Sequence, residues 1–257
     1  MAPSATASSS PIGRNLIPQT DVPFITTDQM REVDRLMVDE FHIGLEQMME
    51  NAGRNLARLA SDRFLAASPA GKRVIVLAGS GGNGGGGLVA ARRLAGWGAH
   101  VSVHLTRKPE DLRGVPAMQL AALSGLGVSI TSGAVAAVDD ADLIIDAIIG
   151  YSLNGPPVGV AAELVTLANE ASANVLSLDV PSGVDSTTGE VHAPAVEADA
   201  TLALALPKVG LKAAEARRHV GELYVGDIGI PEASYRAESL GIGIPRIFDV
   251  GDVVRVW

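Results

Sequence analysis

The chain has 257 residues, 47% of them apolar and 19% charged, with a formal net charge of −9 and no cysteine. That is enough for one large α/β domain or two small ones with a sizeable core, and it excludes disulfides, thiol nucleophiles and cysteine-based zinc sites. The acidic balance, with only 4% aromatic residues, argues against a nucleic-acid partner, and no apolar run approaches the ~18 residues of a membrane span.

Residues 1–24 are rich in Ser, Ala and Pro and read as a disordered N-terminal tail. They lack the apolar stretch of a secretory signal, and Arg14 is the one feature shared with an organelle transit peptide, so a cytoplasmic protein is expected. Residues 25–257 are expected to form a single domain. Thr26 followed three residues later by Gln29 has the spacing of a capping box, and Met30, Val33, Leu36 and Met37 recur on one helical face up to about Asp39. A turn through His42 and Gly44 leads to a second helix carrying Met48, Met49, Ala52, Leu56 and Leu59, interrupted by the polar pair Glu50-Asn51. From Arg73 the period changes. Short β-branched runs at 74–78, 101–105, 143–148, 175–179, 201–206 and 223–228 alternate with helices predicted at 86–96, 109–125 and 159–172. Strands apolar nearly throughout, separated by helices, indicate an α/β fold: a doubly wound, Rossmann-like three-layer sandwich with a mostly parallel sheet. After Asp199 two strands follow with what reads as a short connection, so the last edge is expected to depart from strict alternation.

In such a sheet, ligands bind beyond the carboxyl ends of the strands, where the strand order reverses. The first strand ends in the run 79–87, where seven of nine residues are glycine and only Ser80 and Asn83 are not. Gly79-x-Gly81-x-x-Gly84 is a literal dinucleotide fingerprint, but no acid ends the second strand to hold a ribose. Arg107 and Lys108 could take a 2′-phosphate there, yet no hydride-transfer set accompanies them. Bare backbone N–H groups at a helix N-terminus favour phosphate; the alternative is a tight turn with glycines for packing. Asp146 and Asp179 fall in or at the end of buried runs, so each must be paired, bound to a cation, neutral, or capping a neighbouring loop. Asn83, Asp146 and Ser182 together offer hard oxygen donors with one formal charge, suited to a monovalent or a water-rich divalent cation. Asp179 is then left for proton transfer. Lys208, after the fifth strand, reads either as approaching an anionic ligand or as a solvated loop lysine. His42, His100, His104, His192 and His219 lack metal-ligand spacing and read as surface or packing residues.

Several motifs in order resemble the NAD(P)HX epimerases, the YjeF N-terminal-domain proteins, over roughly residues 25–232. Glu50-Asn51-Ala52-Gly53 is similar to the family's second-helix element, and the run 79–87 to its G-x-G-N-N-G-G-D-G loop. The segment from Asp146 to Pro156 is similar to D-A-I-F-G-F-S-F-K-G-P, Asp179-Val-Pro-Ser-Gly183 to D-I-P-S-G, and Tyr224 to Pro231 to a family strand and turn. The resemblance implies an isomerase that interconverts the R and S forms of NADH or NADPH hydrated at C6, so that a separate dehydratase can restore the cofactor. It implies one potassium ion per subunit, held by Asn83, Asp146 and Ser182, and a homodimer. It places the hydrated dinucleotide against Gly82, Asn83, Gly84, Gly85 and Gly86, against Gly150, Tyr151, Ser152, Leu153, Asn154, Gly155 and Pro156, and against Asp179, the candidate general acid/base. Two departures stand out: Gly86 replaces the loop aspartate, and Asn154 the lysine before the glycine. The alternatives are a relative acting on another small molecule, as an isomerase or lyase, and a non-catalytic nucleotide-binding scaffold.

Overall fold

Thr26 caps the first helix in the computed structural model, which describes residues 17–18, 21–133 and 140–257. The Gln29 amide donates to Thr26 Oγ1 at 3.2 Å and the Thr26 amide to Gln29 Oε1 at 2.9 Å, which satisfies two donors that a helix start leaves free. Helix α1 (Thr27–Asp39) buries Met30, Val33, Leu36 and Met37, and α2 (Leu45–Phe64) buries Met48, Ala52, Leu56 and Leu59.

The remainder is a doubly wound sheet. In chain order it runs β1 (Arg73–Ala78), α3 (Gly82–Gly96), β2 (His100–Leu105), α4 (Gly114–Leu123), β3 (Ser129–Ser132), β4 (Leu143–Ala147), α5 (Val160–Glu170) and β5 (Asn174–Leu178). It ends with β6 (Ala200–Leu204), α6 (Ala214–Val220), β7 (Glu222–Gly226), α7 (Glu232–Tyr235) and β8 (Val253–Arg255). The spatial order is β3-β2-β1-β4-β5-β6-β7-β8, parallel except for β8, which pairs antiparallel with β7. The order reverses between β1 and β4. Because side chains alternate along a strand, the two faces hold different helices. Val74, Val76, Leu143 and Ile145 pack in one cluster with residues of α2, α3 and α4, whereas Ile75, Leu77 and Ile144 pack with Leu164 and Val165 of α5.

Several predicted elements change on inspection. The first helix of the sheet begins at Gly82 rather than at 86, so most of the glycine run is helical. The helix expected over 109–125 is α4 flanked by short 3₁₀ turns at Pro109–Asp111 and Ser124–Leu126. Between β6 and β7 lie a 3₁₀ turn (Val209–Lys212) and α6, so that connection is not short; it is the link from β5 to β6 that has no helix. The edge departs from alternation at β8, which the hydrophobic pattern does not announce; nor does it announce β3, whose residues are mostly exposed and polar.

Residues 1–16 and 19–20 of the expected tail lie outside the described residues. Val22 is buried and Phe24 stacks on Trp257 with ring centres 6.3 Å apart, so packing begins before residue 25. No described helix is long and apolar enough to cross a membrane.

Candidate functional site

At the switch point, beyond the ends of β1, β4, β5 and β6, a cavity of about 580 Å³ opens under α1 and α2. That volume lies within the ~300–1,000 Å³ usual for small-molecule sites. Of the expected ligand residues, Gly82, Asn83, Gly86, Gly150, Tyr151, Ser152 and Asp179 line it; Gly84, Gly85 and the segment 153–156 do not.

The glycine run serves mainly close packing. A Cβ on Gly79 would lie 2.0 Å from the Ile148 carbonyl oxygen, one on Gly84 1.8 Å from the Gly79 carbonyl oxygen, and one on Gly87 2.5 Å from the Ala147 Cβ. Those three let α3 start hard against the ends of β1 and β4. On the outer side, Met49 lies across Gly82 and Gly85, and Gly53 of α2 meets the Gly86 carbonyl oxygen and Val89 with no room for a Cβ. The tight-turn reading therefore explains more of the run than phosphate approach does. What remains for a ligand is the first turn of α3, whose amides have no intrahelical acceptor.

Asp179 follows β5 in a left-handed conformation, φ 69°, one of few non-glycine residues held so and the kind of backbone that clusters at functional sites. Its Oδ1 accepts from Lys208 Nζ at 2.5 Å and from the Leu204 amide at 3.3 Å, and its Oδ2 accepts from the Tyr151 amide at 3.0 Å. Lys208 is fully buried and also donates to the Leu204 carbonyl at 3.0 Å. It is not a solvated loop lysine. Gly150 keeps Asn83 and Asp179 on either side of it: a Cβ there would be 3.0 Å from Asn83 Oδ1 and 3.1 Å from Asp179 Oδ2.

Asp146 and Ser182 come together in a buried cradle. Asp146 Oδ1 accepts from Ser182 Oγ at 2.6 Å and the Ile148 amide at 3.2 Å; Oδ2 accepts from Ser177 Oγ at 2.8 Å and the Ser182 amide at 2.9 Å. Burial pushes the carboxyl above its ordinary value, against the lowering effect of those donors. Asn83 bonds to neither residue, and its Nδ2 is buried without a partner. No group of three or more acidic, His or Cys side chains gathers for a metal among the described residues. Two histidines pack, His104 against Thr131 Oγ1 at 2.7 Å and His219 against the Val196 carbonyl at 2.9 Å, while His42 and His100 are exposed.

Helix α1, expected from the sequence as a helix, was not expected to line the site. Met30, Asp34 and Val38, spaced four apart on one face, all line the cavity. Asp34 Oδ2 accepts from the Tyr151 hydroxyl at 2.5 Å. Burial raises the Asp34 carboxyl, opposed by that hydrogen bond, and burial and then Asp34 raise the Tyr151 phenol. The available signal was slight, since Asp34 is one of four acids on this amphipathic helix.

A mostly parallel sheet with a glycine-rich strand-to-helix junction and a cavity at its switch point defines a doubly wound α/β protein with a candidate small-molecule site. Residues 45–210 match the family described as YjeF-related protein N-terminus, and the chain belongs to that family. It is 46% identical to the NAD(P)H-hydrate epimerase of Dehalogenimonas lykanthroporepellens over 84% of this chain and 86% of that one. It is 34% identical to the NAD(P)H-hydrate epimerase of Rhodopirellula baltica over 90% and 96% of the two chains. The Bifunctional NAD(P)H-hydrate repair enzyme Nnr of Moorella thermoacetica is 36% identical over 81% of this chain, which spans only 41% of that longer protein. The crystal structure of yeast ynu0 superposes with a TM-score of 0.72 at 25% identity, over 91% of this chain and all of that one.

Proposed function

We propose that this protein is an isomerase that interconverts the R and S epimers of NADH and NADPH hydrated at C6. The observation that carries the reading is the Asp179 carboxylate, held by three donors in the wall of the switch-point cavity. In support, the relatives named as epimerases align with this chain almost end to end. C6 of the hydrated ring bears a hydroxyl and is bonded to ring nitrogen N1. Inverting it breaks one of those two bonds: breaking C6–N1 takes a proton from the oxygen and puts one on N1, whereas breaking C6–O needs a proton only at the oxygen, with N1 supplying its electron pair. Asp179 is the group assigned to carry the hydroxyl proton. The Tyr151 and Leu204 amides orient it, while the buried Met30, Met48 and Ala52 give the cavity an apolar wall for the ring.

One potassium ion per subunit belongs to the same reading. Asp146 is fully buried, its four hydrogen-bond donors are all neutral, and among the described residues no Lys, Arg or His pairs with it. Such an anion fits a neighbouring cation. Asn83, Asp146 and Ser182 would hold the ion, which would supply positive charge and join the glycine loop to the loops after β4 and β5. A homodimer resident in the cytoplasm completes the assignment.

The test is direct. Purified protein is incubated with separated R and S epimers of hydrated NADH and of hydrated NADPH, and the mixture is followed by chromatography. Equilibration well above the spontaneous rate is the expected result; none, with folded protein, would overturn the reading.

A further inference from the structure

We infer that Lys208 is the proton donor that works opposite Asp179, so that the two residues act as one acid–base couple in the epimerisation proposed above. Lys208 is fully buried, yet its side chain lines the cavity, with Nζ 5.7 Å from the centre of the Tyr151 ring. Two of its three hydrogens are engaged, by Asp179 Oδ1 at 2.5 Å and by the Leu204 carbonyl at 3.0 Å; the third meets no acceptor among the described residues. Its backbone is pinned from the far side: the Ile25 amide donates to the Pro207 carbonyl and the Val209 amide to the Ile25 carbonyl, both at 2.9 Å. The charged or titratable groups facing Nζ are Asp179, Tyr151 and, from α1, Asp34. Burying an ion pair costs desolvation that an apolar pair would avoid, so its place in a ligand cavity calls for a use.

Ring opening provides one. A lone carboxylate would have to carry the hydroxyl proton across to N1 itself, whereas two groups let the oxygen lose its proton and N1 gain one at the same time. With the couple, the C6–N1 bond breaks and its electron pair goes to N1, which takes a proton from the Lys208 ammonium. The hydroxyl proton passes to Asp179 as C6 becomes an aldehyde carbon. Rotation about the C5–C6 bond presents the other face of the aldehyde to N1. Closure forms the N1–C6 bond, returns the N1 proton to the Lys208 amine, and returns the Asp179 proton to the oxygen. The couple starts and ends as carboxylate and ammonium, and no other reactant is consumed.

Lys208→Arg separates this role from mere positioning, because arginine keeps the charge and the pairing with Asp179 but does not release its proton at working pH. We expect the rate of epimer interconversion to fall by roughly 10²–10⁴, with KM within about threefold of wild type. Should the larger side chain disrupt folding, Lys208→Ala is assayed with ethylamine and, separately, with ethanol, a neutral molecule of similar size. Ethylamine should restore activity and ethanol should not. A folded Lys208→Arg protein within threefold of the wild-type rate, or equal rescue of Lys208→Ala by ethanol, would overturn the assignment. Wild-type protein that fails to mix the epimers would instead sink the epimerase reading itself.

Discussion

Gly86 stands where the resembling loops carry aspartate, and its surroundings determine what restoring that carboxylate would do. The residue lies inside α3 without the positive φ that would make a side chain strained. A Cβ there would approach Leu178 Cδ2 at 2.9 Å and Ala52 Cβ at 3.9 Å, and the closer contact is the mobile end of a leucine. Gly86→Asp should therefore fold with a melting temperature within a few degrees of wild type. Its carboxylate would enter a cavity already lined by Asp34, Asp39 and Asp179. A charge-assisted hydrogen bond to a substrate hydroxyl contributes roughly 1.5–3 kcal/mol, so kcat/KM on hydrated NADH should rise about tenfold or more. A folded variant with no gain would mean that Asp34 or Asp179 already makes that contact.

At the scale of elements, the site depends on how two helices are attached. Helix α1 lies outside the range matched by the family, yet it is tied to the site by the Ile25–Lys208 bridge, by Thr27 Oγ1 to Ser186 Oγ at 2.6 Å, and by Asp34 to Tyr151. Helix α2 is tied to α3 through Glu50, which accepts from Arg92 Nη2 at 2.6 Å and also from Arg93. The polar pair that breaks the apolar pattern of α2 is thus a clamp: Glu50 holds α3, and Asn51 donates to the Ile228 carbonyl at 3.2 Å beyond β7. Burial raises the Glu50 carboxyl, but the hydrogen bonds and charges of Arg92 and Arg93 outweigh it and hold it below its ordinary 4.5. A lowered carboxyl stabilises the fold above its unfolded value, and that contribution disappears as pH falls through the folded value. Because the group is partly exposed, Glu50→Gln should cost only about 1 kcal/mol at pH 7, seen as a lower denaturation midpoint. The gap should close as pH falls below 4.5. An equal loss at pH 7 and in acid would show that shape, not charge, joins the helices.

For the molecule as a whole, an ion at Asp146 would bind only the folded chain and would raise its stability by mass action. At ten times its Kd that amounts to about 1.4 kcal/mol. In a protein of this size the melting temperature should then be about 3–6 °C higher in potassium chloride than in tetramethylammonium chloride at equal concentration. Asp146→Asn keeps the shape and one accepting oxygen, removes the charge, and should erase the difference. Identical melting of the wild type in the two salts would remove the potassium site from the reading.

What the chain alone determined follows from local rules. Apolar β-branched runs separated by helices require a covered parallel sheet, the Thr26–Gln29 spacing gives a capping box, and a glycine-rich turn after the first strand marks the ligand end. That Asp146 and Asp179 would need partners was legible for a similar reason, because carboxylates in or at the end of buried strands cannot stand alone. The tertiary structure decided what those partners are. Lys208 reaches Asp179 across 29 positions and Asp34 reaches Tyr151 across 117, separations over which no periodicity carries information. It also decided which glycines are required by packing, because contact with Ile148, Ala147 or Met49 exists only once strand and helices are assembled. The edge strands β3 and β8 stayed hidden because a short strand at or near the rim need not be apolar; its pairing partner, not its composition, makes it a strand.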